Sequence, residues 1–323
     1  MPTVLVTRKL PASVLGKLQA IASVDAWAGD PAIPRGELLA RIADADGLVC
    51  LLTDAIDRTV IDAAPKLKII ANVAVGYDNI DVPHARGRGV VVANTPDVLT
   101  DAVADFTWAM ILAITRRLPE GERLVRRGEW NGWAFDLLLG SSLAGKQLGV
   151  VGLGRIGRAV ASRAGAFGMR VAYTSRHETD VAGAEWPAEQ RERWERLSLD
   201  RLLNTSDVVS LHVPGTPETR HVIDKRALAR MKRSAYLVNT ARGTVVDEAA
   251  LAWALREHLI AGAALDVYEH EPQVHPDLLE LENVLLAPHL GSATTETRTA
   301  MADLAVENVL AVLAGKPPLT PVP

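Results

Sequence analysis

A chain of 323 residues that is 48% hydrophobic can bury one large core or two ordinary ones, and two domains are expected. Its formal charge of −4, from 35 basic and 39 acidic residues scattered along the chain, gathers no polyanion and argues against a nucleic-acid partner. The single cysteine, Cys50, excludes an internal disulfide framework and any cysteine-built zinc site, and its apolar surroundings Gly47-Leu48-Val49-Cys50-Leu51-Leu52 read as a buried thiol in a reducing compartment.

The N-terminus Met1-Pro2-Thr3-Val4-Leu5-Val6-Thr7-Arg8 lacks the regions of a signal peptide, and no stretch reaches membrane-spanning length without charge. A cytoplasmic protein with no membrane partner and no metal is therefore expected. Short β-branched runs at 3–6, 47–52, 67–73 and 90–93 alternate with helix-length segments and predict a parallel α/β sheet. Asn94-Thr95-Pro96-Asp97 breaks the series, because proline forces extended geometry on its predecessor, and Thr100-Asp101 can then cap a long helix reaching 113–116.

A second series predicts strands at 148–151, 170–174, 207–212, 235–239, 261–267 and 284–287, and the mixed-charge stretch 185–196 reads as a solvated helix or loop. Ala287-Pro288 is another breakpoint, after which a last helix at 295–313 is expected to return to the first domain. The expectation is α/β, with two Rossmann-like doubly wound parallel-sheet domains. The smaller is discontinuous and flavodoxin-like, formed by 1–98 and 288–323 and binding substrate, with a dinucleotide domain at 99–287 between its parts.

Gly152-Leu153-Gly154-Arg155-Ile156-Gly157 follows an apolar strand and opens a helix-forming run. Gly152 permits the tight turn, Gly154 lets backbone amides approach a pyrophosphate, and Gly157 lets the helix lie close on the strand. The following strand ends at Ser175 and Arg176, where NAD enzymes place an acid on the ribose hydroxyls. With an arginine there instead, NADPH is the expected cofactor and NADH the alternative.

Three downstream segments each follow a predicted strand: Asn239-Thr240-Ala241-Arg242-Gly243, Leu265-Asp266-Val267-Tyr268-Glu269-His270-Glu271-Pro272, and Ala287-Pro288-His289-Leu290-Gly291. Ligands of open α/β sheets bind beyond the carboxyl ends of strands, so these segments converge on one crevice. Hydride addition to a 2-oxo acid needs a donor for the nascent alkoxide, a cation for the carboxylate and a partner that keeps the donor charged. His289, Arg242 and Glu271 supply these in turn.

These residues resemble the D-isomer-specific 2-hydroxyacid dehydrogenases, most closely the glyoxylate and hydroxypyruvate reductases among them, over nearly the whole chain. The resemblance extends to Asn72-Val73-Ala74-Val75-Gly76-Tyr77-Asp78-Asn79-Ile80-Asp81, Thr95-Pro96-Asp97-Val98-Leu99-Thr100 and Arg116-Arg117-Leu118-Pro119-Glu120. It implies that Arg242 binds the substrate carboxylate, that His289 is the acid/base with Glu271 as its partner, and that the amides of Val75 and Gly76 also hold the carboxylate. Thr107, Arg155, Ile156, Val213, Pro214, Thr240, Ala241, Asp266 and Gly291 would contact the cofactor. The resemblance also implies a homodimer, in which Trp133 of the segment Gly128-Glu129-Trp130-Asn131-Gly132-Trp133 borders the other subunit's substrate pocket.

The alternative of the same chemistry is a 2-ketogluconate-type reductase, separated by pocket volume around Leu51, Leu52 and Thr53. A phosphite dehydrogenase ranks low, since Ala74 stands where that group's extra lysine is sought. The alternative of another class, a non-catalytic NAD(P)-sensing corepressor, sits poorly with the retained Arg242, Glu271 and His289.

Overall fold

The computed structural model describes residues 1–29, 32–176 and 194–323, and the chain divides into two compact units. The first comprises Met1–Leu99 and Ala293–Pro323, and the second Thr100–Ser292.

In the first unit, β1 (Thr3–Val6), β2 (Ser23–Ala26), β3 (Gly47–Cys50), β4 (Ile69–Asn72) and β5 (Val91–Ala93) form a parallel sheet in the order β2-β1-β3-β4-β5. That is the flavodoxin-like order. β3 and β4 are buried at every residue, as central strands of a parallel sheet covered on both faces must be, and this is why they read as unbroken apolar runs. β2 escapes sequence reading because it is an edge strand in which Asp25 interrupts the pattern.

The helix Thr295–Leu313 packs on β3, on β4 and on the helix Ala12–Gln19, where Lys17 Nζ meets Asp303 at 2.8 Å. Gly47 permits this approach, since a Cβ there would press within 3.2 Å of Val309. Beyond the helix, the Asn308 side chain donates to Thr320 Oγ1 at 2.9 Å, and the Val322 amide donates to the Val92 carbonyl at 2.9 Å, carrying the terminus onto edge strand β5.

In the second unit, β6 (Gln147–Val151), β7 (Arg170–Thr174), β8 (Trp194–Arg196), β9 (Val208–Leu211), β10 (Tyr236–Asn239), β11 (Gly262–Leu265) and β12 (Val284–Leu286) make a parallel sheet ordered β12-β11-β10-β9-β6-β7-β8. The order reverses between β6 and β9, the switch point at which such sheets bind ligands. Helix Thr100–Thr115 covers one face, and its buried Trp108 stacks on Phe167 at 4.3 Å while donating to the Val160 carbonyl.

The reading of 185–196 as a solvated helix or loop needs correction at its end. Trp194–Arg196 is an edge strand pairing with β7, its one aromatic, Trp194, outweighed in sequence by the charges of Glu195, Arg196 and their neighbours; 185–193 lie outside the described residues. Among the described residues, no helix is long and apolar enough to cross a membrane.

Candidate active site

The turn after β6 takes its shape from its glycines. Gly152 has φ +96°, and a Cβ there would lie 2.5 Å from the His212 carbonyl; a Cβ on Gly157 would strike the carbonyl of Gly152 itself. At Gly154 the corresponding space is open, with no atom within 4 Å. Helix Arg155–Arg163 then starts at Gly154 with no side chain capping its first turn, so its leading amides are left to an anion. This cradle fits a dinucleotide pyrophosphate. Thr107, fully buried on the helix Thr100–Thr115, shares a hydrogen bond of 2.9 Å with Thr240 after β10, and so ties two expected cofactor residues together.

At the end of β7, Ser175 is half-buried and Arg176 exposed. Their neighbour across the edge is one the sequence reading passed over: Arg196, at the end of β8, donates from Nη2 to the Ser175 carbonyl at 3.0 Å. A charge pattern could not reveal it, because only the β7–β8 pairing brings the two segments together. The Thr216 hydroxyl, the backbone amide of Glu218 itself and the Arg176 charge hold the Glu218 carboxyl below its usual value. Val213 and Pro214 follow β9, where the Pro214 carbonyl accepts from Thr219.

Arg242 leaves β10 on a turn closed by Asn239, whose Oδ1 accepts from the Ala241 amide at 3.0 Å and whose Nδ2 donates to the Arg242 carbonyl at 2.9 Å. The arginine stem lies on Gly215, where a Cβ would come within 3.2 Å of its Cγ. Gly215 and Gly243 carry no mark in the sequence, because only the fold sets Gly215 under Arg242 and puts Gly243 where a Cβ would overlap the backbone of Tyr268 and Glu269.

His289 Nδ1 lies 2.9 Å from Glu271 Oε2, both side chains about a quarter exposed at 27%. The second glutamate oxygen accepts the Tyr268 amide at 3.1 Å. With Nδ1 turned to the carboxylate, Nε2 is the nitrogen left for a substrate. Partial burial works against the Glu271 carboxylate, but the hydrogen bond and charge of His289, the Tyr268 amide and the nearby Arg242 guanidinium together hold it below the usual glutamate value. Arg242 is thus within electrostatic reach of the pair.

His289 itself has φ +55° and is bracketed by Asp266, which is 1% exposed. The Asp266 carboxylate accepts from the amides of Leu290 at 2.6 Å and Gly291 at 2.8 Å. Burial lifts this acid above the usual aspartate value in spite of those two donors. Its expected contact with the cofactor is therefore joined by a role in shaping the histidine loop.

The chain matches the family described as D-isomer specific 2-hydroxyacid dehydrogenase, NAD binding domain, over residues 108–291. It is 47% identical over 321 residues to a glyoxylate reductase of Thermococcus litoralis, covering 98% of this chain and 95% of the relative. The chain belongs to the D-isomer-specific 2-hydroxyacid dehydrogenase family.

A second relative of this dehydrogenase, a glyoxylate reductase of Thermococcus kodakarensis, is 49% identical over 323 residues, covering 99% and 95% of the two chains. Among solved structures, an NADPH-dependent glyoxylate/hydroxypyruvate reductase of Sinorhizobium meliloti in complex with NADP and malonate superposes with a TM-score of 0.87 at 38% identity, covering 99% of this chain and 96% of that one. A Thermus thermophilus protein superposes at 0.92 with 47% identity, covering 99% and 100%. The two parallel sheets of the dehydrogenase are those of its relatives.

Of the remaining expected site residues, Leu52, Val75 and Gly76 belong to the first unit. The Val75 carbonyl accepts from Asn94 and the Gly76 carbonyl from Asn72, both at 2.8 Å, and among the described residues neither amide donates a hydrogen bond. Two such amides are the donors an anion needs. Trp133 stands 82% exposed in the second unit.

Proposed function

We propose that this dehydrogenase reduces glyoxylate and hydroxypyruvate with NADPH, with Arg242, Glu271 and His289 as its catalytic residues. The observation that carries the reading is the 2.9 Å pairing of His289 with Glu271 inside the field of Arg242. A reduced nicotinamide held beyond the carboxyl ends of the strands would supply hydride to the carbonyl carbon of the 2-oxo acid. The Arg242 guanidinium receives the substrate carboxylate, a planar fork on a planar anion. His289 gives its Nε2 proton to the oxygen as negative charge develops there, and Glu271 stabilises the imidazolium before that transfer and orients the ring during it. Glyoxylate yields glycolate, and hydroxypyruvate yields D-glycerate.

For the cofactor, the absence of an acid at 174–176 and the presence of two guanidinium groups, Arg176 and the Ser175-anchored Arg196, favour the 2′-phosphate of NADPH. The relatives' names support the substrates, since the Thermococcus proteins are glyoxylate reductases and the Sinorhizobium protein an NADPH-dependent glyoxylate/hydroxypyruvate reductase. A homodimer is part of the same reading. Trp130, Trp133, Phe135 and Leu139 stand 54, 82, 82 and 62% exposed within one short segment, an apolar surface a second copy would cover.

The test is NADPH oxidation followed by absorbance with glyoxylate, hydroxypyruvate and larger 2-oxo acids, in wild type, His289→Ala and Arg242→Lys. His289→Ala should lose on the order of a hundred- to ten-thousand-fold in kcat. Arg242→Lys keeps the charge without the fork and should raise KM for the acid. No turnover by wild type with any 2-oxo acid would instead favour a cofactor-sensing role.

A further inference from the structure

A second set of charged side chains lies behind the catalytic loops. Glu269, its side chain 11% exposed, places Oε2 at 3.0 Å from His221 Nε2, and its Oε1 accepts the Glu248 amide at 3.2 Å. In return the Glu269 amide donates to Glu248 Oε1 at 2.8 Å, and Glu248 is itself only 5% exposed. Arg220 adds a cation 3.6 Å from Glu269. The His221 amide donates to the Thr244 carbonyl at 2.9 Å. These contacts knit three loops, those leaving β9, β10 and β11.

Glu269 is two residues from Glu271, and Thr244 two residues from Arg242. Between them Gly243 lies against the backbone of Tyr268 and Glu269 so closely that no Cβ fits. The turn bearing the cation and the turn bearing the carboxylate are therefore in backbone contact, and the buried Glu248 with the part-buried Glu269–His221 pair closes that contact from behind. Buried carboxylates are costly unless paired and hydrogen-bonded, so this cluster holds one arrangement strongly or none.

We propose that Glu269 is a positioning residue of the reductase. Paired with His221 and the Glu248 amide, it clamps the Tyr268-to-Glu271 turn on the Arg242 turn and sets the spacing between the carboxylate-binding guanidinium and the Glu271–His289 pair. The proposal rests on the catalytic reading above. Cofactor contacts are spared, since Asn239 closes the turn at Thr240 and Ala241 independently.

The test uses the full chain with glyoxylate kinetics and, separately, calorimetric titration with NADPH. Glu269→Ala should lose on the order of ten- to a hundred-fold in kcat/KM, most of it in kcat, because small misplacements of reacting groups are that expensive. Its NADPH affinity should stay that of wild type. Glu269→Gln, which can still accept the Glu248 amide and reach His221, should recover most of the activity. His221→Ala should reproduce the Glu269→Ala loss, and the double variant should fall no further than the worse single one. Should Glu269→Ala fail to fold, His221→Ala is read in its place.

Wild-type kcat in folded Glu269→Ala overturns the proposal, as do equal losses in the Ala and Gln variants or a loss confined to melting temperature. A fully active His289→Ala removes the catalytic reading first. An inactive His289→Ala beside an unimpaired Glu269→Ala removes only the clamp.

Discussion

The backbone N–H of His289 donates to the carbonyl of Asp266 at 3.0 Å, and the carboxylate of the same aspartate takes the next two amides of the histidine loop. One buried side chain thus holds an imidazole whose own backbone sits at φ +55°, a conformation β-carbon-bearing residues avoid unless their surroundings impose it. Asp266→Ala should leave two amides unsatisfied and let the ring drift. The expected outcome is a loss of about 1–3 kcal/mol in stability together with a fall in kcat. Denaturant titration and steady-state kinetics on the same preparation check it, and intact kcat in a destabilised variant would confine Asp266 to structure.

Acid should reveal the Glu271–His289 pair. Because Glu271 is held below its usual value of 4.5, the pair contributes stability that is fully present above that value and is lost as pH falls through the lower native one. Melting temperatures of wild type and Glu271→Gln should differ above the ordinary glutamate value and converge as pH falls through the lower native one. A gap that widens in acid would reverse the sign and refute the pairing as the cause.

His212 resists protonation for a different reason. Burial pushes its imidazole down to about 3, so the folded chain refuses a proton that the unfolded chain accepts near the ordinary 6.5. Stability from this group is whole above that ordinary value and drains away as pH drops toward the native one. Replacing His212 by Asn should flatten the acid limb of the stability curve between those values, which urea titrations at several pH values would show; an unchanged limb would assign the acid sensitivity elsewhere.

The proposed NADPH preference places cofactor choice at the rim of β7. Arg176→Asp should turn preference toward NADH, because an acid repels the 2′-phosphate and accepts from free ribose hydroxyls. Arg196→Gln should cost roughly ten-fold in affinity for NADPH, the size of one charge-assisted hydrogen bond, with NADH unaffected. Calorimetry with NADP+ and NAD+ decides the matter. Stronger binding of NAD+ by wild type would end the argument before any variant is made.

Trp133→Ala should weaken self-association and change the preference among 2-oxo acids of different size, although the residue is 109 positions from Arg242 in the chain. Sedimentation velocity and a substrate panel measure the two effects. A wild-type monomer with full activity would dispose of the dimer, and an unchanged panel in a dimeric variant would dispose of the pocket role.

What the sequence determined by itself was whatever depends on near neighbours. The apolar runs of the buried strands, the glycine turn after β6 and the helix Thr295–Leu313 are each written in consecutive residues, because backbone sterics and side-chain hydropathy act over a few positions. Arg242, Glu271 and His289 stood out as candidates because each follows a strand that an apolar run already marked, and parallel strands deliver their carboxyl ends to one edge. Only the tertiary structure decided that Arg196 reaches Ser175, that Gly215 lies under Arg242, that Asp266 splints the histidine loop, and that Glu269 finds His221 across 48 positions. Those partners come from different strand ends, so no local pattern marks them. Each is fixed by the packing of whole elements, where a Cβ too many, as at Gly243, forbids a contact that the sequence alone leaves open.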